Sequence, residues 1–309
     1  MTFRLVINMT LIALLLGYLL WWWVVPPPSA GPWQDTHERV AQVTRAGSEV
    51  TVANVRDFGY DREGVPVRES WIDRTYDLDE LARTWFIVEP FGGGEAIAHT
   101  MFSFEFTTGE TVVVSLEARR RPGQGFQPVR AALLPTYPYL WVWATERDMF
   151  ANSTFVSEDD LLLYELTISE RAQRAIFTEL VSQTDDRAER ARWYHTLFSN
   201  CTNVLARAVN RAVPGAVPLD AAWYLPGYSD EFLYGEGYLD TSVPLAQAKL
   251  RAFVSPHLSR TYDPNTPART FSAELREAMG LPFSTTPEEA HGDTHGDRNP
   301  QAGSALLLD

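Results

Sequence analysis

Cysteine is almost absent from this chain: Cys201 stands alone among 309 residues. That excludes an intramolecular disulfide, so the fold must rest on its core. It also leaves Cys201 two roles, a buried small hydrophobe or a reactive thiol. Positive charge is scarce too. Lys and Arg number 26 against 40 Asp and Glu, a formal net charge of −14. Such a surface repels phosphate backbones, so nucleic acid is not an expected partner. No internal repeat is visible. Histidine and cysteine do not recur at structural metal-ligand spacing, so no metal and no cofactor are expected. The tail segment HGDTHGD, with His291 and His295, has the composition to bind a metal loosely.

Apolar residues are plentiful, at 45%, enough for a real core in one large domain or two small ones. Leu5 to Val25 is an uncharged run of 21 residues, and about 20 helical residues cross a bilayer core. Arg4 precedes the run and the next basic residue is Arg39, a bias that points the N-terminus to the cytoplasm. Trp21, Trp22 and Trp23 suit the far interface, and Pro26, Pro27 and Pro28 stop the helix. A secretory leader with a shorter apolar stretch, cleaved near Ser29-Ala30, is the competing reading. The expected topology is single-pass, with the folded part across the membrane from the N-terminus. The expected division is an anchor over 1–28, a linker over 29–48, a domain over 49–260 and an extension over 261–309, disordered from about 285.

Within the domain, Val50–Phe58 alternates and reads as a strand. Asp77–Glu80 resembles a capping box opening a short helix. Trp85–Val88, Leu140–Ala144 and Leu161–Ile168 are further strands. Ser169 caps a helix with Ala172, Ile176, Phe177, Leu180 and Val181 on one face. Residues 184–191 read as a charged surface connection, and 216–260 as irregular and aromatic. Strands and helices do not alternate regularly, so the expected class is α+β with an antiparallel sheet.

One hairpin positions chemistry. In Ala98–Phe106, Phe102, Phe104 and Phe106 share a face, and His99, Met101, Ser103 and Glu105 share the other. In the return strand Thr111–Ala118, Val112, Val114 and Leu116 oppose Val113, Ser115 and Glu117. A two-residue loop would mix apolar with polar residues on each side. A three-residue loop, Thr107-Thr108-Gly109, pairs Phe102 with Val114 and Phe104 with Val112, so one side is wholly apolar. His99 then lies opposite Glu117, a base beside its orienting carboxylate. The His99 face is expected to be solvated, and Glu105→Ala nearly neutral.

Cys201 falls in the first turn of a second helix, about Cys201 to Ala212, capped by Ser199 or Asn200. A helix start stabilises a thiolate and offers backbone N–H groups to an oxyanion. His195, six residues earlier, is the rival base.

A strand-borne His followed by a helix-start Cys resembles circularly permuted, NlpC-like papain folds. Five segments go further: Arg74-Thr-Tyr-Asp77; Ala98-His99-Thr100 with Phe102-Ser-Phe104; Val114-Ser-Leu-Glu117-Ala-Arg-Arg120; Asn200-Cys201-Thr202; and Leu225-Pro-Gly-Tyr-Ser-Asp230. Together they resemble the Lnb N-terminal periplasmic domain family, over roughly residues 50–240. The resemblance implies a Cys201–His99 site supported by Glu117. It also implies a bacterial inner-membrane location, single-pass, with the N-terminus cytoplasmic and the domain in the periplasm, and some relatives are linked to acyl transfer onto the N-terminus of bacterial lipoproteins. The expected function is therefore thiol-dependent acyl transfer or hydrolysis on membrane lipids or lipoproteins. Arg119, Arg120, Asn200 and Tyr194 are the candidate substrate contacts, the arginines toward a phosphate head group. A cell-wall peptidase or amidase is the alternative enzyme. A non-catalytic partner-binding module, using the segment 216–240, is the alternative outside enzymes.

Overall fold

A computed structural model describes residues 2–284. Helix α1, Thr2–Val24, comes first, and its Phe3–Trp22 stretch is long and apolar enough to cross a membrane, with none of it buried against protein. The strands that follow are β1 Gln42–Ala46, β2 Glu49–Arg56, β3 Gly59–Tyr60, β4 Pro66–Arg68, β5 Trp71–Asp77, β6 Leu81–Pro90, β7 Ala98–Phe106, β8 Thr111–Ala118, β9 Pro138–Ala144, β10 Leu162–Glu165 and β11 Arg192–Trp193. The remaining α-helices are α2 Pro128–Leu133, α3 Glu146–Ala151, α4 Glu170–Glu189, α5 Cys201–Ala212, α6 Ser229–Gly235, α7 Leu245–Ala252, α8 Ser255–Thr261 and α9 Ala268–Met279.

The main sheet runs β1-β2-β9-β8-β7-β6-β10, with β5 also on β2 and β11 also on β9. Its pairs are antiparallel except where β2 meets β9 in parallel, Arg56 against Ala144. The class is α+β as expected, but the sheet is mixed.

The β7–β8 register follows the three-residue loop. Phe102 pairs with Val114 and Phe104 with Val112, and Gly109 takes the left-handed conformation at φ +79°. The Phe face packs with Trp141 and Trp143 under α4 and α5. Phe104 and Phe177 meet edge to face, centroids 5.0 Å apart.

The opposite face is buried too, which corrects the expectation of a solvated side. Met101 and Val113 pack with Trp85, Phe150, Leu258, Phe271 and Leu275 under α3, α8 and α9. Polar residues are tolerated there because each has a partner. Ser103 donates to Glu146 Oε1 at 2.6 Å, and Arg276 pairs with the same oxygen at 2.6 Å. Glu105 is fully buried. It accepts from Trp85 Nε1 at 2.9 Å, Arg83 Nη1 at 2.8 Å and Ser284 N at 2.7 Å. Glu105→Ala is therefore expected to cost about 3 kcal/mol, since it strands a buried indole N–H and removes the buried carboxylate of an ion pair, although Arg83 keeps Glu165 and Ser284 as partners. Urea unfolding of this variant checks it; a change within 0.5 kcal/mol, the usual range for an exposed residue, would restore the earlier expectation.

Other boundaries shift as well. Residues 29–48, expected to be a linker, carry β1 and the buried His37 and Ala41. Residues 184–191 are not a connection, because α4 continues to Glu189. The segment after 260 is not an appendage up to Ser284, because Tyr262, Phe271 and Leu275 complete the second core. The expected disorder from 285, with His291 and His295, lies outside the described residues. Asp77 caps one 3-10 turn, Leu78–Glu80, by accepting from Asp79 N.

Candidate active site

The site is assembled at the end of the sheet where β7 begins. Asn200 caps α5: its side chain accepts from Asn203 N at 2.7 Å, which fixes Cys201 as the first helical residue. Thr202 Oγ1 and Thr100 Oγ1 are 2.8 Å apart, tying that helix start to β7 one residue beyond His99. The Cys201 Sγ lies 4.0 Å from Ala98 O and 3.8 Å from Thr202 Oγ1. Gly227 braces the approach to β7. Its N–H donates to Ala96 O at 3.2 Å, and a Cβ at that position would collide with the Glu95 carbonyl. This gives a steric reason for the glycine of the Leu225-Pro-Gly segment.

His99 Nε2 lies 3.1 Å from Glu117 Oε1 and 2.6 Å from Ser115 Oγ. Ser115 in turn donates to Glu117 Oε1 at 2.6 Å. With Nε2 held by these two oxygens, Nδ1 is the nitrogen left for the thiol. Ser115 was not singled out by sequence reasoning, although its place between His99 and Glu117 on one face was the available signal.

The electrostatics follow this geometry. Burial disfavours charge on His99, but the negative charges of Glu117 and of a Cys201 thiolate raise it well above 6.5. Burial likewise disfavours the thiolate, yet the nearby His99 charge, helped by the Thr100 N–H and the Thr202 hydroxyl, holds Cys201 below its ordinary 9.0. Burial opposes ionisation of Glu117 as well, and the His99 charge and hydrogen bond outweigh it, leaving the carboxyl below the usual range. The arrangement favours a thiolate–imidazolium pair oriented by a carboxylate.

A cavity of about 650 Å³ opens on this pair. Cys201, His99 and Glu117 line it, with Phe58, Phe91, Ile97, Phe126 and Leu225 among its apolar wall. Cys201 is 4% exposed, yet it sits on this wall. Two unexpected groups share the cavity. Burial keeps His37 neutral, lowered to about 3. Burial also raises Glu89 to about 7, directly across from His99 on β6. Both were missed because they come from segments with no motif of their own.

The expected substrate contacts divide. Arg119 is committed elsewhere: it donates to His37 O and Glu38 O at 3.0 and 2.7 Å, and lies over the Trp33 ring at 4.5 Å. Asn200 is committed too, to the helix cap and to the Thr196 and Trp223 carbonyls. Asn200 lines the cavity all the same, as do Arg120 and Tyr194; Arg119 does not. His195, the rival base, is engaged elsewhere. Its Nδ1 accepts from Leu197 N at 3.1 Å, and its ring lies between Trp22 and Phe198. Glu117→Gln is expected to lower turnover less than loss of His99, because the amide keeps part of the orientation and loses the charge; steady-state rates of the two variants decide it.

Comparison with known proteins gives a family match. The family model described as the Lnb N-terminal periplasmic domain matches residues 68–225. The matched span contains His99, Ser115, Glu117 and Cys201. No curated protein and no solved structure matches the chain.

Proposed function

This chain belongs to the Lnb N-terminal periplasmic domain family, and from that membership and the site geometry we propose that it is a membrane-anchored periplasmic thiol enzyme acting on acyl esters of envelope lipids or lipoproteins. One observation carries the reading. The chain's one thiol is held below its ordinary pKa by an imidazole that is itself braced by Ser115 and Glu117, and the pair faces a cavity with an apolar wall.

The chemistry divides into two steps. The Cys201 thiolate attacks an ester carbonyl, forming a C–S bond and breaking the C–O bond. His99 gives its proton to the departing alcohol, leaving a thioester on Cys201. An amine, or water, then attacks the thioester; its proton returns to His99 and the acyl group leaves as amide or acid. Asn200 satisfies the Asn203 N–H, so the earlier N–H groups at the start of α5 are the candidates to hold the developing oxyanion. Strand-borne His before helix-borne Cys would make this papain-like chemistry in permuted order. Residues 1–28 would anchor the domain in the inner membrane with the N-terminus cytoplasmic, raising its effective concentration at lipids.

The apolar wall favours acyl chains over peptides as the group bound. Mass spectrometry of lipids and lipoproteins from the native host, wild type against Cys201→Ala, tests the proposal. Loss of one acylated species, with its precursor accumulating, supports it; identical profiles oppose it.

A further inference from the structure

The domain touches its own anchor helix at three points. Tyr18 Oη donates to Leu133 O at 2.7 Å. Trp193 Nε1 donates to Val25 O at 2.7 Å. The rings of Trp22 and His195 lie 4.9 Å apart. The segments that make these contacts also expose large apolar side chains. Val129 and Leu133 on α2 are 72% and 59% exposed, and Leu197 and Phe198 are 44% and 64% exposed. The two segments are joined by the Thr196 hydroxyl, which donates to Pro128 O at 2.6 Å.

The depth of this patch can be read from the helix it touches. Tyr18 precedes the end of α1 at Val24, and at 1.5 Å per residue it lies about 9 Å back along the helix. Tyr18 also falls inside the membrane-length stretch Phe3–Trp22. A carbonyl bonded to Tyr18 Oη therefore sits below the end of the span, not above it. Apolar faces that lie on a membrane bury to about 5–10 Å, which is the depth that Tyr18 gives Leu133. Exposed Arg130 and Arg192 adjoin the patch in sequence, and both could meet anionic head groups. Trp193, half-buried beside the helix end, has the amphipathic ring that favours the interface.

We propose that α2 and the turn 195–198 form a second membrane contact, seated in the lipid leaflet at the C-terminal end of α1. The occupant is lipid, because the patch is continuous with a helix that itself requires lipid. A consequence rests on the catalytic reading above. Pro128 and Thr196 also line the Cys201 cavity, so the patch would bring this side of the cavity to the lipid surface, where an acyl ester could enter without crossing water.

The contact is tested with the full-length protein in phosphatidylcholine–phosphatidylglycerol vesicles. In a Cys201→Ser background, single cysteines replace Leu133, Phe198 or Leu250 and carry an environment-sensitive fluorophore. Leu250 on α7 is the control: it is apolar, 77% exposed, and beside the edge strand β10. The expected result is blue-shifted emission at 133 and 198, quenched several-fold more strongly by lipid spin-labelled near the head group than at 250. Quenching no stronger than at 250 overturns the proposal. So does a blue shift that grows with protein concentration and ignores the spin label, which would mean a second copy covers the patch. Because no turnover is measured, failure here leaves the thiol chemistry standing, and failure of the chemistry leaves this contact standing.

Discussion

Cys201→Ala and His99→Ala are each expected to abolish acyl transfer, with rates falling by about 10³-fold or more, as when a covalent nucleophile or its base is lost. Neither change should unfold the domain. Cys201 lies on a cavity wall and His99 at the start of β7, away from the aromatic packing of the core. The double variant should be no slower than the worse single one, since nucleophile and base act as one unit. Activity should be read beside circular dichroism of each variant. An independent, multiplicative loss would mean that the two residues serve different steps.

Phe104→Ala is expected to be the most damaging single core change, costing about 3–5 kcal/mol. Phe104 is fully buried. Phe177 meets it edge to face and Phe102 lies 6.0 Å away. Phe177 also touches Phe106, Tyr76 and Trp143, so removing Phe104 opens a void under a residue that three other groups hold in place. That void cannot collapse cheaply, which is the condition for the upper part of the range. Chemical denaturation measures the loss. A cost below 1 kcal/mol would mean that the ring cluster repacks freely.

The sequence carried the site geometry further than it carried the architecture. Strict alternation in β7 and β8, with Gly109 in the loop, was enough to set His99 beside Glu117. The argument assumed one buried face, and the structure buries both. The register survives because the Phe face alone selects it. The second face was misread because Ser103 and Glu105 look like surface residues until Glu146, Arg276, Arg83 and Trp85 arrive from distant segments. Single-sequence pattern cannot see such pairings. The same reason hid His37 and Glu89. Asn200 was legible as a cap, and its role is spent there. Arg119 was legible as a cation, but its partners are backbone carbonyls and a ring of the segment 33–38, which composition alone had assigned to a linker.

The most direct test of the thiolate–imidazolium pair is the pH dependence of Cys201 alkylation. The chain has one thiol, so total labelling reports this residue alone. In the native protein the thiol is held below 9.0 by His99. The thiolate, and with it the alkylation rate, should therefore persist as pH falls below 9 and be lost only at the lowered value. His99 is raised above 6.5, so the charged partner is present across the neutral range and is lost as pH rises through that raised value. In His99→Ala the acid limb should move up toward the ordinary thiol value, and labelling near pH 7 should slow markedly. Labelling that needs denaturant, or a profile unchanged by His99→Ala, would contradict the account.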